Sequence, residues 1–158
     1  MKKIIGITTL FFISIICSAS EYIFYKGNST SVFDAVFTIK DNKMYKGRST
    51  TFTDNIIFTI KDNSIYKGNS TSVFDIVYTI KNDKIFKGRS TAFTDNIIFT
   101  IKDNSIYKGN STSVFDIVYT IKDYKIFKGR STAFSDNIIY TVNNSKDICK
   151  VILPLLLI

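Results

Sequence analysis

Histidine and tryptophan are absent from this 158-residue chain, which also has only one proline and two cysteines. Without histidine, the chain lacks the commonest general base and the commonest metal ligand of proteins. With so few cysteines it cannot carry a framework of several disulfides, so stability must come from packing and hydrogen bonding. These absences predict a protein that is not an enzyme and that uses no cofactor or metal.

The first twenty residues have the three parts of a secretory signal. Lys2 and Lys3 precede an apolar run from Ile4 to Ile16, and small residues follow at 18–20. We therefore predict that residues 1–20 are a signal peptide and that the protein is secreted or periplasmic.

Removal of this signal leaves 19 basic and 13 acidic side chains, a net charge of +6. Cys17 is removed as well, so Cys149 is the only thiol left and an internal disulfide is excluded. In an alternative interpretation, Cys17 is lipidated and anchors the chain to a membrane.

One short motif, an aromatic residue followed by Lys and Gly, recurs six times at spacings that alternate between 20 and 21 residues. The aromatic residues are Tyr25, Tyr45, Tyr66, Phe86, Tyr107 and Phe127. Two variants alternate, so a double unit of 41 residues is present three times. Such self-similarity is typical of repeat proteins, in which each copy is one supersecondary unit. We assign residues 21–143 to one hairpin-repeat domain.

Each copy is predicted to be a β-hairpin, because its apolar residues alternate and turn-forming residues follow them. For a turn centred on residues 82–83, the predicted register pairs Lys81 with Lys84, Ile80 with Ile85, Thr79 with Phe86 and Tyr78 with Lys87. Ile76 is placed on the face of Tyr78. Both faces are largely apolar, so we expect the hairpin to be covered on both sides. The glycines of the Lys-Gly pairs predict a turn or bulge with positive φ.

Six hairpins make an all-β fold of about twelve short antiparallel strands. A closed flower-like ring and an open stacked array both fit a single-hairpin repeat. The double unit, present three times, also fits a three-fold β-trefoil or β-prism.

Two family resemblances follow from these residues. The stretch YTIKDYKIFKG resembles the hairpin of MORN repeats, in which an aromatic strand, a tight turn and a Tyr-x-Gly strand recur. The repeats over residues 22–142 are similar to those of small bacterial secreted proteins that include the β-flower proteins. This second resemblance implies a hairpin-repeat fold and implies no activity.

Three rows of aromatic residues run through the repeats, headed by Tyr25, Phe33 and Phe37. They either form the core or stack on sugar rings or bases, with a lysine beside each ring. The candidate binding residues are Tyr25, Lys26, Tyr45, Lys46, Tyr66, Lys67, Phe86, Lys87, Tyr107, Lys108, Phe127 and Lys128. The partner predicted from them is a polysaccharide or another envelope component, without specific recognition of nucleic acid.

Each repeat also carries one loop aspartate: Asp34, Asp54, Asp75, Asp95, Asp116 or Asp136. A row of carboxylates could indicate a calcium site, but one carboxylate per loop is fewer than calcium needs. We expect these side chains to form Asx-type turns within their loops instead.

The last residues, 144–158, depart from the repeat and form an apolar tail. It is too short to cross a bilayer, so no transmembrane span is predicted after the signal. The tail has three interpretations: a closing strand, a membrane-associating or partner-binding segment, or the product of a shifted reading frame.

Together these features predict a secreted, non-enzymatic repeat protein with a structural or adhesive role at the cell envelope. The alternative is a multivalent, lectin-like carbohydrate-binding module, in which identical loops provide several weak sites and hence avidity. Self-association through strand edges or the apolar tail would accompany a purely structural role.

Overall fold

The computed structural model describes residues 21–143 and 148–158, so the predicted signal peptide and Cys17 lie outside the described residues. Twelve strands are present: β1 Tyr22–Lys26, β2 Ala35–Lys40, β3 Lys43–Lys46, β4 Ile56–Lys61, β5 Ser64–Lys67, β6 Ile76–Lys81, β7 Lys84–Lys87, β8 Ile97–Lys102, β9 Ser105–Lys108, β10 Ile117–Lys122, β11 Lys125–Lys128 and β12 Ile138–Val142. Each loop between hairpins ends in a 3-10 turn: Val32–Asp34, Thr53–Asn55, Val73–Asp75, Thr94–Asn96, Val114–Asp116 or Ser135–Asn137.

The twelve strands form one closed barrel in which each strand pairs with its neighbours in the chain. β1 pairs antiparallel with β2 and also with β12, so the first and last strands close the ring. The all-β prediction and the closed flower-like arrangement are confirmed, whereas the open array and the three-fold trefoil or prism are wrong. Closure leaves no free strand edge, so self-association through edges is excluded for this barrel.

The predicted hairpin register is confirmed in β6 and β7. These strands pair Lys81 with Lys84, Ile80 with Ile85, Thr79 with Phe86 and Tyr78 with Lys87. Asn82 and Asp83 have φ angles of 50° and 59°. Two consecutive positive φ angles are those of a type I′ turn, whose twist matches the twist of the strands that it joins.

A β-bulge near the start of each longer strand changes which face its first residue occupies. Ile65 pairs with Tyr78, and Tyr66 pairs with Ile76, so Val77 is the extra residue. Ile76 therefore shares a face with Tyr66, and its predicted place beside Tyr78 is wrong. A bulge shifts the phase of the alternation, and a period-two pattern alone does not reveal that shift.

The Lys-Gly pairs end the shorter strands, as predicted. Gly88 has a φ of 73°, and its N–H donates to the carbonyl oxygen of Val77 at 2.7 Å. Gly27 makes the equivalent bond across the closure of the ring, to the carbonyl oxygen of Ile139 at 2.8 Å. The left-handed backbone explains why glycine occupies these positions.

The inside of the barrel is apolar and the C-terminal segment fills it. Six fully buried side chains line its middle: Phe24, Met44, Ile65, Ile85, Ile106 and Ile126. Packed against them is the end of the chain, which forms a short helix α1 (Ile148–Val151) and a 3-10 helix (Leu153–Leu157). The closing-strand interpretation of the tail is wrong, because a segment inside a closed barrel meets no free strand edge.

The two ends of the barrel are built from different parts of the repeat. Hairpin turns form one end, here named the turn end: residues 41–42, 62–63, 82–83, 103–104 and 123–124. The connections between hairpins leave and re-enter the strands at the other end, the loop end: residues 27–34, 47–55, 68–75, 88–96, 109–116 and 129–137. The loop at 88–96 runs back along the outer face, where Lys81 Nζ donates to Thr91 Oγ1 at 3.4 Å.

The C-terminal segment runs from the turn end to the loop end. Lys150 lies at the turn end, with its Nζ 5.5 Å from the ring centre of Tyr22. Leu153 lines a cleft there with Asn42. Ile158 lines a cleft with Lys108, the last residue of β9, at the loop end. No helix among the described residues is long and apolar enough to cross a bilayer.

The outer face of the barrel is covered by the loops. Thr79 Oγ1 donates to the carbonyl oxygen of Gly88 at 2.9 Å, and this bond recurs in every repeat. In the loop at 88–96, Thr91 lies beside Phe86, and the two line one groove on this face. The hairpins are thus covered on both sides, as predicted.

Candidate binding surface at the loop end

The aromatic residues predicted to bind a ligand lie beneath the loops. Five of the six are only 6–8% exposed, and Tyr25 is half-buried. The five are Tyr45, Tyr66, Phe86, Tyr107 and Phe127. This row therefore belongs to the core, the alternative that the sequence left open, and its rings offer no open face to a ligand.

The lysines that follow these rings are exposed, but they lie on the other face of the sheet. Lys87 pairs with Tyr78, whose ring faces the barrel interior, whereas Phe86 faces outward. Consecutive residues of a strand point to opposite faces, so the predicted pair of ring and lysine is not brought together. The six lysines instead surround the mouth of the barrel at the loop end: Lys26, Lys46, Lys67, Lys87, Lys108 and Lys128. A binding role for them stays a prediction.

The row headed by Phe37 also belongs to the core. Phe58 and Tyr78 pack edge to face with ring centres 6.2 Å apart, and Phe99 and Tyr119 do so at 6.1 Å. Burial raises the pKa of Tyr119 above its ordinary value. Desolvation likewise raises the pKa of Tyr140, with a smaller contribution from the nearby Tyr119. Both phenols therefore stay protonated at neutral pH.

The third aromatic row is exposed to solvent. Phe33 is 94% exposed and Phe52 is 64% exposed, and the values alternate in this way around the ring. The row consists of Phe33, Phe52, Phe74, Phe93, Phe115 and Phe134. Burying a phenylalanine side chain is worth about 1.5–3 kcal/mol, so exposing one in every loop forgoes a large stabilisation.

Two kinds of loop alternate and hold their rings differently. The A loops carry the more exposed rings and comprise residues 27–34, 68–75 and 109–116. In the first, Ser29 Oγ donates to Asp34 Oδ2 at 2.6 Å, and the N–H of Ser31 donates to Ser29 Oγ at 3.0 Å. The N–H of Phe33 in turn donates to Ser31 Oγ at 3.3 Å. The same bonds recur in the other two A loops, so all three rings are held alike.

The B loops, residues 47–55, 88–96 and 129–137, have one residue more than the A loops. Their phenylalanines precede a 3-10 turn that has no side-chain cap. An exposed arginine, such as Arg48, follows the glycine in each of them. The alternation of loops gives the loop end a three-fold pattern on a six-fold barrel.

The carboxylates of the A loops bond within their own loop, but through a serine hydroxyl group and not as the predicted Asx turn. Asp34 accepts from the hydroxyl group of Ser29, although an Asx turn would use a backbone N–H. Among the residues that the structure describes, no three His, Cys, Asp or Glu side chains lie close enough to hold a metal ion.

The loop end has an excess of positive side chains. It has six lysines at the mouth, three arginines in the B loops and six loop aspartates, so basic side chains exceed acidic ones by three. Three of those aspartates are engaged by serine hydroxyls in the A loops. The described residues near the turn end have nine lysines and six acidic side chains, the same excess of three, so charge does not distinguish the two ends.

An apolar cleft of about 560 Å³ opens at the same mouth. Phe99, Tyr119 and Leu155 are among its lining residues, and Lys108 stands at its edge. Ile158, which is 69% exposed, forms another part of the wall. The mouth at the loop end thus combines lysine side chains with an apolar recess, and the loops that start and end there carry the exposed rings.

The sequence did not distinguish the exposed row from the two buried ones. All three recur at a fixed position, and only the path of the loops decides which rings are covered. One sequence signal could have separated them: Phe33 stands in a Ser, Thr and Asn-rich stretch, outside the alternating strands.

A closed barrel of six hairpins with repeated, ring-bearing loops defines a hairpin-repeat protein of the flower type. The family model described as 6-fold beta flower protein matches residues 7–95 and 50–151, which together span most of the chain. The chain belongs to the 6-fold beta flower family. No curated protein and no solved structure gives a significant match. Family membership supports the fold, and the function has to be argued from the surface.

Proposed function

We propose that this protein is exported and acts at the cell envelope as a non-enzymatic adhesive protein that binds through its loop end. One observation carries the proposal: each of the six loops holds a phenylalanine ring in solvent. Exposed apolar groups that form a patch commonly mark interaction sites, whereas single scattered ones do not. The repetition of this exposure in every loop argues for a surface that is used.

The A loops are suited to binding because they are ordered before a ligand arrives. Three hydrogen bonds, through Ser29 and Ser31, hold the loop that carries Phe33. A preorganised loop loses less conformational entropy on binding than a loose one, so more of the contact energy remains as affinity.

Repetition gives the surface its second advantage. One barrel carries three equivalent A loops and three B loops, so contacts made by one loop bring the others close to the same ligand surface. Such linkage raises avidity by factors of about 100 to 10,000 without any new kind of contact.

The proposal is tested by binding of the exported protein to a purified envelope fraction. Replacing Phe33 alone by serine should weaken binding modestly, and replacing Phe33, Phe74 and Phe115 together should weaken it at least about a hundredfold, because avidity is lost. The matched control is Tyr124→Ser at the turn end, where the ring is 55% exposed. Equal losses from the triple variant and the control would contradict the proposal.

A second candidate function is a lectin-like module. It is favoured by the polar neighbours of the rings, since Asn28, Ser29 and Thr30 come shortly before Phe33. An aromatic face beside hydroxyl and amide groups can stack on a sugar ring and bond its hydroxyls. A glycan array probed with the wild-type protein and with the triple serine variant tests this candidate, which requires selective signals that the variant loses.

A further inference from the structure

The C-terminal segment crosses the barrel obliquely and covers the sides of its interior unequally. Near the turn end, Ile101 is 7% exposed, whereas the equivalent Ile60 is half-buried and lines a cleft beside Leu153. Near the loop end the order is reversed. Phe58 is 6% exposed there, and the equivalent Phe99 is half-buried and lines the cleft of about 560 Å³. The single segment therefore leaves a different side of the interior open at each end.

The covered wall and the open wall at the loop end have the same sequence. Residues 56–81 are identical to residues 97–122, so the two walls offer the same side chains to the interior. On the covered wall, the hydroxyl group of Tyr78 donates to the carbonyl oxygen of Leu156 at 3.4 Å. On the open wall, the hydroxyl group of Tyr119 has no hydrogen-bond partner among the residues that the structure describes. The C-terminal segment thus shows what such a wall accepts: an apolar chain with an oxygen atom for the tyrosine.

The open wall is apolar because bulge residues and aromatic rings form it. Ile98 and Val118 are the extra residues of β8 and β10, and both pack against the core of the barrel. With Phe99 and Tyr119, whose ring centres lie 6.1 Å apart, they line the cleft, and Leu155 lines it from the C-terminal segment. A sugar between these side chains would leave most of its hydroxyl groups unpaired, so the cleft favours an apolar ligand.

Cationic side chains stand at the edge of the open wall. Lys108 lines the cleft and pairs with Phe99 across the strands, and Lys128 pairs with Tyr119. Cross-strand partners share a face, so both lysines leave the sheet on the side of the cleft. A carboxylate group at Ile158 would offset one of them and leave the other. The edge of the cleft is therefore suited to a ligand with one anionic group.

The loop-end cleft also has the size of a small-molecule site. Such sites measure about 300–1,000 Å³, are mostly apolar and hold a few polar groups that orient the ligand. The cleft at the turn end measures about 200 Å³, and its lining includes Asn42, Asp62 and Asn63. Of these two clefts, the one at the loop end is the larger and the more apolar, and none of its described lining residues has an acidic side chain.

We infer that the loop-end cleft binds one molecule of the fatty-acid class, an acyl chain that ends in a carboxylate group. The chain lies between the open wall and the C-terminal segment. Its carboxylate accepts a hydrogen bond from the hydroxyl group of Tyr119 and pairs with Lys108. The site does not use the exposed phenylalanines of the loops, so the inference goes beyond the proposed adhesive function.

The first arm of the test measures binding of decanoate to the exported protein by isothermal titration calorimetry. We expect one saturable site per barrel, because the single C-terminal segment provides one of the walls. Decanol has the same chain without the charge, and should bind at least about fivefold more weakly because its hydroxyl group forms no ion pair.

The second arm tests the lysines at the edge of the cleft against matched lysines. One variant changes Lys108 and Lys128 to glutamine. Its control changes Lys67 and Lys87, which pair with the equivalent rings of the covered wall. The first variant should weaken decanoate binding at least about fivefold, and the control should leave it within about twofold, because salt screens charges that are more than about 10 Å away.

The third arm fills the cleft. Val118→Phe should weaken decanoate binding at least about tenfold, since the added ring takes the space of about two methylene groups of the ligand. Val77→Phe changes the equivalent residue of β6, which does not line the cleft, and should leave binding within about twofold. Thermal unfolding shows whether each variant is folded, and the lysine variants decide the question if a valine variant is not.

Three results would overturn the inference: no saturable binding of decanoate, equal losses from a variant and its matched control, or decanol bound as tightly as decanoate. The proposed function fails or stands separately. Replacing Phe33, Phe74 and Phe115 together by serine should leave decanoate binding within about twofold, while it weakens binding to the envelope fraction.

Discussion

The turn end and the loop end come from the same hairpins, yet they expose different chemistry. At the turn end, residues such as Lys81, Asn82 and Asp83 make short, charged turns whose conformation the strand register dictates. At the loop end, connections of eight or nine residues carry phenylalanines into solvent. Loops that a rigid barrel holds in place are free to carry function, whereas the tight turns are constrained by the strands that they join.

The largest expected loss of stability comes from removing a phenylalanine ring that a loop covers, compared with one that is exposed. Phe86→Ala removes a ring that is 6% exposed under its loop, and should cost about 3–5 kcal/mol of unfolding free energy. Phe93→Ala removes a ring of the neighbouring B loop that is 66% exposed, and should change stability by less than about 0.5 kcal/mol. Urea unfolding of both variants measures the difference, and similar losses would mean that the loops do not cover the outer face.

The next largest difference in stability is expected between leucines at the two ends of the C-terminal segment. Leu153, near the turn end, is 1% exposed inside the barrel, and Leu153→Ala should cost about 2–5 kcal/mol. Leu157, near the loop end, is 44% exposed, and Leu157→Ala should cost less than about 1 kcal/mol. Chemical denaturation checks both values. A small cost at Leu153 would show that the segment does not fill the barrel.

The smallest expected change in stability comes from the hairpin turn at residues 123–124. Tyr124 has a φ of 62°, a left-handed conformation that asparagine adopts more readily than a bulky aromatic residue. Tyr124→Asn should therefore stabilise the barrel by about 0.5–1 kcal/mol. The reciprocal change, Asp83→Tyr at the equivalent position with φ 59°, should destabilise it by a similar amount. A loss of stability in Tyr124→Asn, measured by thermal unfolding, would contradict this account of the turn.

The parts of the fold that depend on neighbouring residues were predicted well from the sequence. Pairing across residues 82–83 follows from alternation and turn chemistry, and both are local. The positive φ of Gly88 follows from the type of residue at the end of a strand. The number of hairpins permitted several closures, and only the pairing of β1 with β12 decides among them.

The parts that depend on distant contacts were not predicted. The bulge at Val77 moved Ile76 to the other face, because one extra residue reverses the phase of a strand. The position of the C-terminal segment depends on the whole barrel, because the apolar interior has to be filled. Val151 to Leu155 fill it. The exposure of Phe33 likewise depends on the path of its loop.

The most direct test of the binding face is photo-cross-linking from the two ends of the barrel. Benzoylphenylalanine is placed at Phe33 in one variant and at Tyr124 in another, since both side chains are exposed aromatic rings. Each exported protein is then irradiated on a purified envelope fraction. If the loops bind the envelope, position 33 forms adducts with an envelope component and position 124 forms few or none. Adducts from position 124 at an equal or higher yield would contradict the claim that the loop end is the binding face.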